Sequence, residues 1–261
     1  MNLIDIGANL THDSFDADRE AVIERAAACG VRRLIITGSS EQSSLDAARL
    51  AGSRPGVLYA TAGVHPHHAS EYTEQVSAAL LGLLDKDSVV AVGECGLDYF
   101  RDFSPRQAQR QAFAAQLELA IATGVPLFLH QRDAHADFTA ILRPVVGRIS
   151  GGVAHCFTGD AVALRDYLDM GLYIGVTGWI CDERRGAELR SLARYIPLDR
   201  LMIETDAPYL LPRTLDPRPA TRRNEPMYLR EVLRVFARES GESEERVAGA
   251  TTTNAEQLFA L

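Results

Sequence analysis

The sequence is short of the features that would set it apart from ordinary globular enzymes. No apolar run approaches the roughly 18–20 residues needed to cross a bilayer, so no membrane association is expected. The opening segment, Met1-Asn2-Leu3-Ile4-Asp5, has no basic n-region and no small-residue cleavage site, so a cleaved leader is not expected. The cysteines Cys29, Cys95, Cys156 and Cys181 show no C-x-x-C spacing, which argues against a disulfide scaffold and a zinc knuckle and fits a reducing cytoplasm. An excess of positive charge is missing too. A formal net charge of −8 excludes a general DNA-coating protein, but leaves room for a local basic rim or bound metal ions around one cleft. No repeat, low-complexity tract or linker divides the chain. At 261 residues and 46% hydrophobic it can bury a large core, and one domain spanning 1–261 is expected.

What the chain does have is alternation. Apolar, β-branched runs near 3–6, 33–37, 57–62, 89–92, 125–129, 152–154, 173–176 and 201–204 read as strands. Helical patterns fall between and after them, at about 15–29, 41–51, 71–84, 105–122, 134–146, 161–169, 183–194, 226–239 and 244–258, the last with a break near Thr251–Thr253. Ser104-Pro105-Arg106-Gln107 reads as a capping box at the start of the fourth helix, and Gly124 as its stop. Strict strand–helix alternation with short connections predicts an α/β protein, a single closed (β/α)8 TIM barrel. The competing open, doubly wound sheet lacks its marker, a strand followed by G-x-G-x-x-G. The irregular stretch 206–225, rich in Pro and Arg, is long enough to be a functional loop.

The polar residues at the strand ends form the second pattern. The fourth apolar run stops at Gly93, and Glu94 follows in what reads as a loop held open by Gly96. The first strand ends near Asp5 and Asn9, the third at His65 and His67, the fifth at His130, the sixth at His155, and the eighth at Glu204-Thr205-Asp206. In a barrel all these ends converge on one mouth. A lone histidine after an apolar strand is more often a hydrogen-bonded structural group than a ligand. Four residues at equivalent ends, Glu94, His130, His155 and Asp206, reverse that judgement and point to a mixed nitrogen and oxygen site for a divalent metal. On donor chemistry alone Zn2+ or Mn2+ would suit it. His12, His68 and His135 read as surface residues, and Cys95, Cys156 and Phe157 as core.

Five blocks then carry a resemblance: Gly-Val-His-Pro-His at 63–67, Gly-Glu-Cys-Gly-Leu-Asp at 93–98, His-Gln-Arg-Asp-Ala at 130–134, His-Cys-Phe-Thr-Gly at 155–159 and Glu-Thr-Asp-Ala-Pro-Tyr-Leu at 204–210. With Gly-Trp-Ile-Cys-Asp-Glu-Arg-Arg-Gly at 178–186 and Arg-Arg-Asn-Glu-Pro at 222–226, the chain resembles the TatD family of metal-dependent deoxyribonucleases along essentially its whole length. The resemblance implies a barrel of the metal-dependent hydrolase type that cleaves phosphodiester bonds. It implies that Glu94, His130 and His155 hold one metal, Mg2+ being favoured. Glu94 would bridge to a second metal, and Asp206 would help bind that ion and handle the water's proton. His65 would lie near the scissile phosphate. The expected activity is a 3′–5′ exonuclease on single-stranded DNA, extending to RNA, in repair or turnover, by a cytoplasmic monomer. Arg132, Arg184, Arg185, Arg222 and Arg223 are candidate phosphate contacts, and Tyr209 and Trp179 candidate stacking residues. The first block departs from the wider pattern: where most relatives carry His-x-His, Gly7 and Asn9 stand here, so any second metal site should be weak and hydrated. The alternative is an amidohydrolase-like ester or amide hydrolase, such as an aminoacyl-tRNA deacylase. The missing His-x-His and the lack of a lysine at a strand end speak against it.

Overall fold

Each apolar run becomes a strand because the barrel buries it on both faces, as parallel sheets require. The computed structural model describes residues 1–261. It shows β1 (Leu3–Ala8), β2 (Val31–Ile36), β3 (Leu58–Ala62), β4 (Val89–Asp98), β5 (Leu127–Arg132), β6 (Gly152–Ala154), β7 (Tyr173–Val176) and β8 (Leu201–Ile203). The strands lie side by side in sequence order, and every neighbouring pair is parallel. The seam between the first and last strands is closed by backbone bonds just past β8: Asp206 N donates to Gly7 O at 2.8 Å and Asn9 N to Ala207 O at 2.7 Å. This is the barrel that the alternation predicts.

Helices α1 (Arg19–Ala28), α2 (Glu41–Gly52), α3 (Glu74–Leu84), α4 (Arg106–Thr123), α5 (His135–Leu142), α6 (Ala161–Asp169), α7 (Ala187–Leu192), α8 (Leu229–Ser240) and α9 (Glu244–Phe259) complete the fold. Ile4, Ile6, Ile35, Val90, Phe128, Val153 and Met202 fill the cylinder, with Ala255 and Phe259 of α9 packed against them. Asn254 Nδ2 donates to Leu198 O and Leu201 O, which holds α9 at the end where β8 begins. That end is plugged, so the opposite, C-terminal end of the strands is the open mouth.

Several expected boundaries move, each for a local reason. Phe15 lies in a 3-10 turn (Asp13–Phe15) started by His12 Nδ1, which accepts Ser14 N at 3.1 Å, so α1 begins only at Arg19. The capping box does not form. Ser104 Oγ instead donates to His67 O at 2.9 Å and accepts from Ser70 N, and Pro105 is the N-cap residue. Asp182 accepts the N–H groups of Arg184 and Arg185, which turns the chain there and delays α7 to Ala187. Helix α9 runs unbroken, because Thr251 Oγ1 bonds back to Ala248 O and leaves the backbone ladder intact.

The largest correction concerns β4, which does not stop at Gly93. It continues through Glu94 to Asp98, so Glu94 belongs to the strand and not to a loop. Gly93 (φ 145°) and Gly96 (φ 146°) make this possible, since a Cβ at either would run into the neighbouring strand at Phe128 O or His130 O. The strand therefore bulges against β5 between Val92 and Cys95 and re-aims the intervening carboxylate.

Candidate active site

Glu94 is buried at the mouth, and three imidazoles surround one of its oxygens. From Glu94 Oε1, His130 Nδ1 is 2.8 Å away, His155 Nε2 3.0 Å and His65 Nε2 3.3 Å. His65 follows β3, His130 stands on β5 and His155 follows β6, so the strands flanking β4 and the next one along deliver their rings to its carboxylate. Burial pushes the Glu94 carboxyl up. The charges of His65 and His155 and the bonds from His130 and His155 outweigh it and hold the group well below the usual carboxylate range. Burial likewise pulls His155 down, but Glu204 and Glu94 raise it well above the ordinary histidine value. His65 is supported by Glu94 alone, and burial, aided by the charges of His130 and His67, takes it down to about 4.

The partners on the far sides of the rings assign the tautomers. Glu204, fully buried, accepts from His155 Nδ1 at 2.8 Å and from Cys156 N at 2.7 Å. Glu204 thereby keeps a proton on His155 Nδ1, so a cation that displaced the Nε2 proton would meet a lone pair directed toward Glu94, the arrangement used by metal-bound histidines. His65 is the reverse. Its Nδ1 accepts His67 N at 3.1 Å, so in the neutral ring Nε2 carries the proton and acts as a donor. His130 Nε2 is buried without a hydrogen-bond partner; Asp98 Oδ2, at 3.4 Å, is occupied by His67 Nε2 at 2.9 Å. By distance alone His65, Glu94 and His130 form the tightest set of possible ligand atoms. The tautomers instead favour His155 over His65 as a nitrogen ligand, and chemistry decides over proximity here. The donor set fits a divalent cation: one ionised carboxylate, His155 Nε2 on a ring oriented by a buried acid, and His130 Nδ1 beside the same carboxylate oxygen.

Asp206 lies across the seam. Its Oδ1 accepts Asn9 Nδ2 at 2.9 Å. Burial pushes its carboxyl up to about 7; Glu94 and Glu204 add to the rise, while His155 and Asn9 oppose it. Gly7, one strand position away, has no room for a side chain. A Cβ there would run into Glu204 Oε2 and touch the Phe128 ring at 3.0 Å.

Reasoning from sequence gave no role to Glu204 or Asp98, although a signal was present. In extended chain alternate residues share a face, so Glu204 with Asp206, and Glu94 with Asp98, are candidates for one cavity. Cys95 is buried as expected, Phe157 is core, and Cys156 is partly exposed with a left-handed φ of 46°.

The candidate nucleic-acid contacts divide. Arg132 lies over the Phe100 ring at 4.0 Å and 5.7 Å from Trp179, while Arg184, Arg185 and Arg222 are exposed at the mouth. Tyr209 is exposed and meets His12 edge-on at 5.7 Å. Arg223 is not free: its four terminal N–H groups are spent on Ser14 O, both oxygens of Asp18, and Glu225. Arg223→Ala should therefore lower Tm by ~2–6 °C, from roughly 1–2 kcal/mol of lost charged hydrogen bonding, in a thermal melt. It should leave the salt dependence of DNA binding unchanged; a shallower slope would restore Arg223 to the phosphate contacts.

Comparisons with known proteins give the family. The sequence profile of the family described as TatD related DNase matches residues 4–260. The chain belongs to that family. A protein of Pantoea vagans (strain C9-1) named 3′-5′ ssDNA/RNA exonuclease TatD is 50% identical over 259 residues, covering 99% of this chain and 100% of its own. A Rahnella sp. (strain Y9602) protein of the same name is 49% identical, covering 99% and 98%. Among solved structures, the TatD homolog YjjV from Escherichia coli K12 superposes with a TM-score of 0.89 at 29% identity, covering 99% of this chain and 98% of its own. The TatD-type fold thus extends over the whole barrel.

Proposed function

We propose that this protein is a metal-dependent 3′–5′ exonuclease acting on single-stranded DNA and RNA. One observation carries the reading: Glu94 Oε1 lies within 3.3 Å of three histidine nitrogens at the mouth of a barrel whose full-length relatives are named for that activity. Glu94, His130, His155 and Asp206 would hold the cation, for which Mg2+ is our assignment. Such a cation supplies Lewis acidity toward water and the phosphate oxygens. The chain supplies the rest. Asp206, with a carboxyl poised near neutrality, takes the proton of the attacking water. The Nε2–H of His65 donates to a phosphate oxygen as charge builds on it. Glu204 keeps His155 in its ligating tautomer. Arg132, Arg184, Arg185 and Arg222 contact the backbone, and Tyr209 stacks on a base. The reading extends to a cytoplasmic monomer in DNA repair or turnover; the four unpaired cysteines support the compartment.

The test is cleavage of end-labelled single strands with Mg2+. A strand with a free 3′ end should lose mononucleotides stepwise, while a 3′-blocked or circular strand should survive. Equal cutting of the circle would sink the exonuclease assignment.

A further inference from the structure

Beside the metal site, between the loops that follow β7 and β8, the mouth opens into a cavity of about 540 Å³. Trp179, Asp182, Arg185, Arg213, Arg218 and Arg222 line it. This is an unusual concentration of positive charge in a chain whose net charge is −8. Arg213 Nε pairs with Asp182 Oδ2 at 3.0 Å, but Arg185, Arg218 and Arg222 form no ion pair. Asp182 brings one negative charge against the four guanidinium groups of Arg185, Arg213, Arg218 and Arg222, so the lining stays positive. Three unpaired guanidinium groups around one concavity repel each other unless an anion joins them, and arginine's fork matches a phosphodiester.

The cavity connects to the metal site. Arg132, two residues beyond His130 on the same strand, lies 5.7 Å from the Trp179 ring, and Arg185 lies 5.9 Å from that ring on the way into the cavity. The opposite rim has a different character. There Phe103, 68% exposed, packs at 4.7 Å against His67. A strand entering by its 3′ end presents two unlike halves. The terminal nucleoside brings one base and no further phosphate, while the rest of the chain brings a phosphate with every nucleotide.

We propose that the cavity bounded by Arg185, Arg213, Arg218 and Arg222 receives the phosphodiester backbone on the 5′ side of the scissile bond, with the terminal nucleoside turned toward Phe103. The inference rests on the exonuclease reading and adds the direction of the strand across the mouth. Its consequence is length selectivity: a dinucleotide reaches the metal site but not the cavity, so each added 5′ phosphate tightens binding until the arginines are engaged.

The experiment compares kcat/KM for a long oligothymidine and for a thymidine dinucleotide, in wild type and in the combined Arg218→Gln, Arg222→Gln variant. The long-to-short ratio should fall by ~10-fold in the variant, through KM of the long strand. The slope of log binding against log salt should shrink by about 1.4, from about 0.7 for each phosphate contact to a single strand. Neutral methylphosphonate linkages just 5′ of the scissile bond should reproduce the loss in wild type and add little in the variant. An unchanged ratio and slope would overturn the inference while leaving the nuclease intact. An equal loss on both substrates would also overturn it, since the arginines would then act on the fold or the chemistry. Failure of wild type to cut either substrate would remove the exonuclease reading, and the inference with it.

Discussion

Glu94→Ala is expected to lose at least ~10²-fold in turnover of single-stranded DNA. Three imidazole nitrogens lie within 3.3 Å of its Oε1, so without the carboxylate they face one another with no anion between them. Cation affinity should fall together with the rate, which titration calorimetry with Mn2+ would read. Glu94→Gln separates chemistry from folding. The amide keeps the shape of the side chain but has neither the charge nor the second acceptor oxygen, so it should lose activity nearly as completely while retaining the far-UV and near-UV circular dichroism of wild type. Turnover surviving in either variant would remove Glu94 from the machinery and the proposed metal site with it.

Asp206→Asn is the second. A proton acceptor must be ionised, and burial, with help from Glu94 and Glu204, sets this carboxyl at about 7. Below its pKa the group carries its proton and cannot take another, so wild-type kcat should rise with pH and level off by about 7, the bound cation holding the rise below the metal-free value. A positive ion beside the carboxylate favours the charged form, so raising the Mg2+ concentration should move this rise to lower pH. The asparagine variant should lose ~10²–10⁴-fold in kcat and show no such rise, because the amide does not titrate there. Profiles of kcat against pH at two Mg2+ concentrations read both effects. A variant that keeps the same acid-side slope would assign the titration to another group.

The barrel was legible because alternation of apolar runs with helical periods is a property of the sequence itself. The converging ends were legible because equivalent positions on successive strands need only be counted. Glu94's place within β4 was not. A glycine after an apolar run reads as a stop, and only the neighbouring strand shows that Gly93 and Gly96 let the ladder continue past the bulge. Ser104 was misread for a related reason: its hydroxyl finds His67 O, which is distant in sequence, before it can cap the helix next to it. Arg223 looked like any loop arginine beside a mouth. Its partner Asp18 lies far away in the chain, and no local pattern announces such a pair. The tautomers of His65 and His155 are least accessible of all, since they depend on what each ring touches behind the site.

Gly7 has a consequence for how this site can change over time. The place where a side chain would stand is filled by Glu204 Oε2, and that carboxylate is pinned by His155 Nδ1 and Cys156 N. A histidine arriving at position 7 would have to evict Glu204, and His155 would lose its orientation in the same step. Glycine at position 7 thus keeps the floor of the mouth for Glu204, and even a methyl group there would reach His155 indirectly, through the carboxylate that orients it.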